Sequence, residues 1–185
     1  KTNSNIGPSQ IWGKHAMPPP GRPDGLVLVG GLLVMRDAVL DRLLLVPLHR
    51  RGHLDERGLL SGARREHVVV TSGASAATNI ALRAILEPGD EVIMAWGSFI
   101  SYWLRGVETG ANVVQVPLKG HAHDLEAMAD AVTDCTRLIF VCNPNNPTGT
   151  LVDASQMAAF LESVPDHVPV VVDEAYYEYV PDRRV

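Results

Sequence analysis

The sequence has little cysteine, no excess of positive charge and no long apolar run, and each shortage excludes a class of protein. Its two cysteines, Cys135 and Cys142, cannot form a disulfide framework and lack metal-ligand spacing, which favours a reduced, cytoplasmic setting. A net charge of −5 offers nucleic acid no general basic surface. The apolar residues 26–34 are too few to span a membrane, and they follow prolines instead of the basic start of a signal peptide.

What remains is the composition of one globular domain with two unlike parts. The 185 residues are 46% apolar and 20% charged, which is enough for a real core. Residues 1–60 form a poorly defined N-terminal segment, because the apolar residues 26–34 and 39–48 have no clear period. In residues 61–185, strand-like and helix-like runs alternate, so this second part is the one whose fold can be predicted.

That alternation predicts an α/β fold of three layers (α/β/α), with helices on both faces of a mainly parallel sheet. The predicted strands cover residues 67–71, 91–95, 111–116, 136–142 and 168–172. The predicted helices cover residues 75–87, 99–109, 124–132 and 153–164, and Asp124 is placed to cap the third. Unbroken valines predict buried central strands at residues 68–70 and 170–172. In such sheets, ligands bind at the carboxyl ends of the strands.

Two polar segments directly follow predicted strands. Residues 141–150 read V-C-N-P-N-N-P-T-G-T, which is either a rigid turn with asparagine as turn former or a loop that points an asparagine amide into a site. Residues 170–177 bring Asp173 to a strand end, where it would either cap a helix or hold a cationic ligand atom. Tyr176, three residues later, could reach the same ligand.

Two further segments have the same position after a strand. Residues 70–77 turn through Gly73 into a helix rich in small residues, whose first N–H groups suit a phosphate, although many such turns bind nothing. The segment lacks the G-K-[ST] and G-x-G-x-x-G patterns of nucleotide-binding loops. In residues 96–102, Phe99 or Trp96 would either stack on a planar ring or belong to the core.

In order and spacing, the four segments together resemble the fold-type I aminotransferases that use pyridoxal phosphate (PLP), and within them the histidinol-phosphate aminotransferase group. The resemblance covers about residues 64–182 and makes residues 61–185 part of a PLP-binding large domain. The matching motifs are S-G-A-S at 72–75, L-E-P-G-D-E-V at 86–92, S-F…Y at 98–102, T-R-L-I-F-V-C-N-P-N-N-P-T-G-T at 136–150 and D-E-A-Y-Y-E-Y at 173–179. The last two motifs are the most specific.

The resemblance assigns seven residues to the cofactor: phosphate-binding amides, a ring stack, two contacts with the ring oxygen and a carboxylate beside the pyridine nitrogen. They are Gly73, Ala74 and Ser75 for the phosphate, Phe99 for the ring face, Asn146 and Tyr176 for the oxygen, and Asp173 for the nitrogen. A carboxylate in that place keeps the ring nitrogen protonated, which the electron-sink chemistry of PLP requires.

The resemblance assigns no catalytic residue and no metal. The family's Schiff-base lysine lies on a Ser-Lys motif further along the chain than the aspartate, whereas the lysines here are Lys1, Lys14 and Lys119. We therefore expect the chain as given to be inactive alone. The family is homodimeric, but the tyrosine that it sends to the partner's cofactor has no counterpart here, since no tyrosine precedes Tyr102.

The activity that the resemblance implies is amine transfer between histidinol phosphate and 2-oxoglutarate, in histidine biosynthesis. Its partners would be a small-molecule amino donor and a 2-oxo acid, without nucleic acid or membrane. An aromatic-amino-acid aminotransferase and a PLP-dependent decarboxylase of phosphorylated amino acids share the visible motifs and stay open. Alternatives of other classes are a catalytically inert truncated remnant and a nucleotide-binding domain that uses residues 72–75 for phosphate.

Overall fold

Short apolar runs form strands, and the amphipathic runs between them form helices, in the computed structural model of the protein. The structure describes residues 26–29, 32–34, 46–47, 70–176 and 179–180. Its strands are β1 (Leu26–Val29), β2 (Leu32–Val34), β3 (Val46–Pro47), β4 (Val70–Thr71), β5 (Glu91–Trp96), β6 (Asn112–Pro117), β7 (Thr136–Cys142) and β8 (Val170–Glu174). Its helices are α1 (Ala74–Ile85), α2 (Ile100–Glu108), α3 (Leu125–Asp130) and α4 (Ala154–Ser163).

Six of these strands form one sheet in the order β2-β1-β8-β7-β5-β6. All neighbours in it run parallel except β1 and β2, which are antiparallel. The predicted mainly parallel sheet is therefore confirmed. Central strands of such a sheet are buried on both faces, and the valines of β8 between β1 and β7 are buried throughout, as their unbroken run predicts.

Two apolar clusters cover opposite faces of the sheet and confirm the three layers. Side chains alternate along a strand, so β7 sends Leu138 and Phe140 to one face and Ile139 and Val141 to the other. Helices α1 and α2 pack on the first face, and α3 and α4 pack on the second. In the described part of the chain, no helix is long and apolar enough to cross a membrane.

Aspartate side chains begin the two helices of the second face. Asp124 accepts a hydrogen bond from the Ala127 amide at 3.2 Å, which confirms the predicted cap of α3. Asp153 forms a capping box with Gln156 at the start of α4. The four helices lie within about two residues of their predicted bounds, which is the usual uncertainty of helix ends.

One strand prediction was wrong, and one ambiguous region is now assigned. The described end of the predicted strand 67–71 is β4, which pairs with β3 in a separate two-stranded sheet and is not central in the large one. Its apolar composition predicts burial but does not specify a pairing partner. Residues 26–34 contribute strands β1 and β2, and β1 extends the large sheet beside β8. Residues 67–69, and most of residues 39–48, lie outside the described residues.

Helix α2 approaches the sheet closely at Gly106, and this contact can be tested by adding one methyl group. A Cβ at Gly106 would lie 2.8 Å from Val113 Cγ2 and 3.3 Å from Val92 Cγ1. Overpacking costs about 1–3 kcal/mol, which exceeds the roughly 1 kcal/mol that alanine gains over glycine within a helix. We expect Gly106→Ala to lower the free energy of unfolding by about 1–2 kcal/mol in urea titrations.

The matched control is Val107→Ala, the next residue of the same helix, whose side chain is 51% exposed. We expect this change to stay within about 0.5 kcal/mol of the parent. If Gly106→Ala were as stable as the parent chain, α2 would not pack against β5 and β6 as described.

Candidate functional site

The sheet has a switch point between β5 and β7. From β5 the chain moves outward to β6 and then returns to β7 on the other side of β5. At such a point the loops after the two strands separate and leave a crevice at the carboxyl ends. The amide nitrogen Nδ2 of Asn145, in the loop after β7, donates to the Gly97 carbonyl oxygen at 3.3 Å in the loop after β5. The two loops are thereby tied together at the edge where ligands bind in this fold.

Asp173 is the most buried acid at this edge of the sheet, with 2% of its surface exposed. It lies two residues after Val171 and therefore faces α1 and α2. Tyr102 Oη donates a 2.6 Å hydrogen bond to Asp173 Oδ2, and the Ala175 amide donates a 3.0 Å bond to Oδ1. The carboxylate thus has one fixed donor on each oxygen.

The surroundings of Asp173 favour a cationic ligand. Burial raises the pKa of the Asp173 carboxyl, and the hydrogen bonds from Tyr102 and Ala175 oppose that effect. The ion pairs between described residues do not include Asp173. A buried carboxylate of this kind is stabilised when a positive charge comes to lie beside it. A protonated ring nitrogen meets that requirement.

Tyr102 holds the carboxylate and is itself held by aromatic contacts. Its ring stacks on Phe140 at a centroid distance of 4.5 Å, and Phe99 meets it edge-on at 5.5 Å. Burial first, and then the charge of Asp173, raises the pKa of the Tyr102 phenol well above its ordinary value, so the phenol remains a donor. Tyr102 belongs to the S-F…Y motif, and the sequence alone did not predict this bond. The available signal was its spacing of three residues from Phe99 at the start of a helix.

Phe99 has one of the two roles that its sequence allowed, a place in the core. It is half-buried at the start of α2 and packs against the cluster between α1, α2 and the sheet, so it is in part a core residue. Ala74, at the start of α1, packs against the same cluster. Two predicted cofactor residues, Phe99 and Asp173, therefore contact Tyr102, and a third, Ala74, packs against the same cluster on this face of the sheet.

The described residues leave the start of α1 open to an anion. Gly73 has a φ of 104°, and a Cβ there would meet nothing within 4 Å. The amides of Ala76 and Ala77 bond the Gly73 carbonyl at 3.2 Å, so those of Ala74 and Ser75 are the ones without a partner within the helix. The first turn has neither a side-chain cap nor an acidic residue. This geometry fits the phosphate that the sequence predicts at Gly73, Ala74 and Ser75.

Asn146 and Tyr176 lie together on the wall of an open groove of about 470 Å³. Asn146 is half-buried, and Tyr176 is 44% exposed. This pair and the group around Tyr102 are connected through the backbone, since the Asn143 amide donates to the Asp173 carbonyl at 2.9 Å. Phe99 and Asp173 do not line the groove. The structure therefore brings the predicted residues to one edge in two groups, and their contacts with a cofactor remain predictions.

Cys142 ends β7 beside Asp173 and is a structural thiol. The two residues are register partners in the sheet. Burial, with a smaller contribution from the charge of Asp173, raises the pKa of Cys142 to about 11. The protonated thiol donates to the Pro144 carbonyl at 3.3 Å and helps to hold the turn into the loop after β7.

A parallel sheet with a polar crevice at its switch point defines an α/β ligand-binding domain. Residues 53–184 match the family model for aminotransferases of classes I and II, and the chain therefore belongs to that family. Enzymes of this family depend on PLP, and the residues described above fit its phosphate, its ring and its ring nitrogen.

Individual relatives agree with this assignment. The chain is 51% identical over 138 residues to an aromatic amino acid aminotransferase of Thermobifida fusca, covering 75% of this chain and 36% of the relative. It is 49% identical to one of Streptomyces avermitilis, covering 72% and 38%. A histidinol-phosphate aminotransferase from Sinorhizobium meliloti, solved with PLP, superposes with a TM-score of 0.56 at 28% identity, covering 58% of this chain and 30% of that one. The chain thus spans about a third of the length of the curated relatives it matches.

The burial of Asp173 predicts a pH dependence of stability. Its pKa is raised from 3.8 in the folded state, so the folded chain binds this proton more tightly than the unfolded chain. That stabilisation is fully present below about pH 4 and is lost as the pH rises through the raised value. We expect the stability of Asp173→Asn relative to the parent chain to increase as the pH rises from 4 to 7, because only the parent chain must ionise this buried group.

Urea titrations of the ligand-free chain at several pH values measure this difference. Asp130→Asn, at an exposed position of α3, is the control for replacing a carboxyl group by an amide. A pH-independent difference between Asp173→Asn and the parent would mean that Asp173 is not the buried acid described.

Proposed function

We propose that this chain is the cofactor-binding part of a PLP-dependent aminotransferase that transfers an amino group from an aromatic amino acid to a 2-oxo acid. The observation that carries the proposal is the buried carboxylate of Asp173, held by Tyr102 at the carboxyl edge of the sheet. A buried acid that forms no ion pair among the described residues matches the nitrogen contact that PLP needs.

Each nearby residue has a separate task in this proposal. The Asp173 carboxylate keeps the ring nitrogen protonated, and Tyr102 fixes the direction of that carboxylate. The amides of Ala74 and Ser75 hold the phosphate at the positive end of α1. Phe99 packs against the ring. When bound, PLP supplies an electron sink for the bonds of the amino acid's α-carbon.

Asn146 and Tyr176 are assigned to the ring oxygen. Both lie on the wall of the groove beside the loop after β7, where an amide and a phenol can approach the same atom. An amide N–H and a phenol O–H are both donors, and together they orient the ring while leaving its other face open to the substrate. As in the related enzymes of this family, we propose a homodimer that takes a small amino donor and a 2-oxo acid.

The names of the relatives favour an aromatic amino donor. Curated relatives at 48% to 51% identity are named aromatic amino acid aminotransferases. Histidinol phosphate, which the sequence motifs favoured, is the second candidate. It is supported by the structural similarity to the Sinorhizobium meliloti enzyme, although at the lower identity of 28%.

A chimaera distinguishes the two donors. The segment of the Thermobifida fusca relative that matches this chain is replaced by the corresponding residues of this chain, and kcat/KM is measured with phenylalanine, tyrosine and histidinol phosphate. We expect transamination with a preference of at least tenfold for the aromatic donors. A preference for histidinol phosphate would favour the second candidate, and a folded but inactive chimaera would refute the proposed reaction.

Cofactor affinity provides a test on the chain itself. Pyridoxamine phosphate is the suitable probe because it forms no Schiff base with lysine. A hydrogen bond to a charged group contributes about 1.5–3 kcal/mol, so we expect Tyr102→Phe to weaken binding at least about tenfold in equilibrium dialysis. The variant keeps the aromatic contacts with Phe99 and Phe140, and it isolates the hydroxyl group.

Tyr179→Phe is the matched control, since it removes the hydroxyl group of an 81% exposed tyrosine and keeps the ring that contacts Tyr176 on the wall of the groove. We expect it to bind like the parent chain, whereas Asp173→Asn should bind more weakly than Tyr102→Phe. Equal affinity of all four proteins would show that the probe does not bind beside Asp173.

A further inference from the structure

The connection between β6 and α3 contacts the loop after β7 at both of its ends. His123 Nε2 lies 3.0 Å from the carbonyl oxygen of Cys142, the last residue of β7. Thr150 Oγ1 donates to the His121 carbonyl at 2.9 Å at the far end of the same loop. Residues 121–123, which we call the brace, therefore span the loop that contains Asn146.

The brace has an unusual backbone. His121 has a φ of 68° in the left-handed region, and it is the one residue other than glycine with a positive φ in the described part of the chain. Such a conformation costs about 1 kcal/mol or more and persists only where the surroundings fix it. The Lys119–Ala122 bridge bonds, at 2.9 and 3.1 Å, close this turn and direct the next residue, His123, towards β7.

The contact of His123 fixes its proton. The Cys142 carbonyl only accepts hydrogen bonds, so Nε2 must carry the hydrogen and donate it. His123 is 8% exposed, and burial lowers its pKa, while the bonds to the Cys142 carbonyl and the Asn145 side chain oppose this. The imidazole is therefore neutral near pH 7, with Nε2 protonated and Nδ1 an acceptor that lies near the Asn145 side chain without a hydrogen bond of normal geometry to it.

The Asn145 side chain lies against His123 and stands next to Asn146 in the chain. Its Nδ2 donates to the Gly97 carbonyl at 3.3 Å and to Thr148 Oγ1 at 2.7 Å. Both His123 Nδ1 and Asn145 Oδ1 are buried without a hydrogen-bond partner in the structure. Exchanging the amide's oxygen and nitrogen would place two acceptors together at Gly97, so Gly97 and Thr148 fix the orientation of this amide. The imidazole packs against an amide whose orientation is already fixed.

We propose that His123 is a positioning residue for the loop that carries Asn146, acting through its Nε2–H bond to the Cys142 carbonyl and its contact with Asn145. This role rests on the proposed function, in which Asn146 contacts the cofactor's ring oxygen. The bond fixes the end of β7 at the level of Asp173, because Cys142 and Asp173 are register partners. His123 touches neither the proposed cofactor contacts nor the reacting atoms, and its effect on binding is indirect.

Replacing His123 by glutamine or by asparagine distinguishes a role in hydrogen bonding from a role in filling space, since both side chains end in an amide. Glutamine can present an N–H near the position of Nε2, whereas asparagine presents it near the position of Nδ1, away from the Cys142 carbonyl. We expect His123→Gln to keep the affinity of the chain for pyridoxamine phosphate within about threefold and His123→Asn to lower it about tenfold, the loss of one hydrogen bond. Equal affinities of the two variants would overturn the proposal.

Hydrogen exchange of the Gly149 and Asn145 amides gives a second readout that needs no ligand. These amides close the loop through bonds of 2.7 Å to the Asn145 carbonyl and 2.9 Å to the Thr150 carbonyl. We expect faster exchange in His123→Asn than in His123→Gln, together with imidazole nitrogen shifts of the Nε2–H tautomer in the parent chain. The positioning role of His123 would be refuted if the two amides exchanged as slowly in His123→Asn as in the parent chain, or if the parent imidazole carried its proton on Nδ1.

Cofactor affinity and hydrogen exchange together distinguish a failure of the proposed function from a failure of the positioning role of His123. If the parent chain does not bind pyridoxamine phosphate, the proposed function fails, and the exchange rates still decide whether His123 holds the loop. If the parent binds and both variants bind equally well, the proposed function stands and the positioning role of His123 is wrong. A loss of affinity that matches the loss of global stability in urea would also reject the positioning role.

Discussion

The hydrogen bond between Tyr102 and the buried Asp173 carboxylate is the contact on which the site depends. Taking a carboxylate out of water costs several kcal/mol unless donors replace the lost water. Tyr102 and the Ala175 amide supply those donors, one for each oxygen. Tyr102 can do so only because its ring is fixed between Phe99 and Phe140. The contacts of Asp173 with Tyr102, and of Tyr102 with Phe140, therefore connect the end of β8, the start of α2 and the centre of β7.

The sheet register extends this link to the neighbouring loop. Cys142 and Asp173 are paired, so β7 and β8 reach the same level before their chains diverge. The loop after β7 begins at that level and is tied to the loop after β5 by Asn145 and Gly97. His123 approaches the same point from the connection after β6. The end of β8, the loops after β5 and β7 and the connection after β6 thus meet at one edge of the sheet. The first three of these segments each carry a short sequence motif, and the sheet brings these motifs together.

Local sequence patterns predicted much of the fold and part of the site. The strand at residues 136–142 has the predicted bounds, and the Asp124 cap is present, because periodicity and capping are local properties. The bond from Tyr102 to Asp173 joins residues 71 positions apart, and that from His123 to Cys142 joins residues 19 apart. Such contacts depend on how helices dock on the sheet, which no spacing in the sequence specifies. The same reason explains the wrong placement of β4, because the valine run at residues 68–70 fits a central strand as well as a small separate sheet.

The energetics of Asp173 also bear on the choice between a functional site and an inert remnant. The raised pKa means that ionising Asp173 costs free energy in the ligand-free chain. An asparagine could keep both contacts without a charge, since its Oδ1 can accept from the Ala175 amide and its Nδ2 can donate to the Tyr102 oxygen. Selection for stability alone would favour the neutral amide, and costly buried charges concentrate at ligand sites. A cationic ring nitrogen removes that cost on binding, so the affinity for the cofactor and the instability without it have the same origin. The acid, its aromatic support and the open helix start are consequently best explained as parts of one cofactor site.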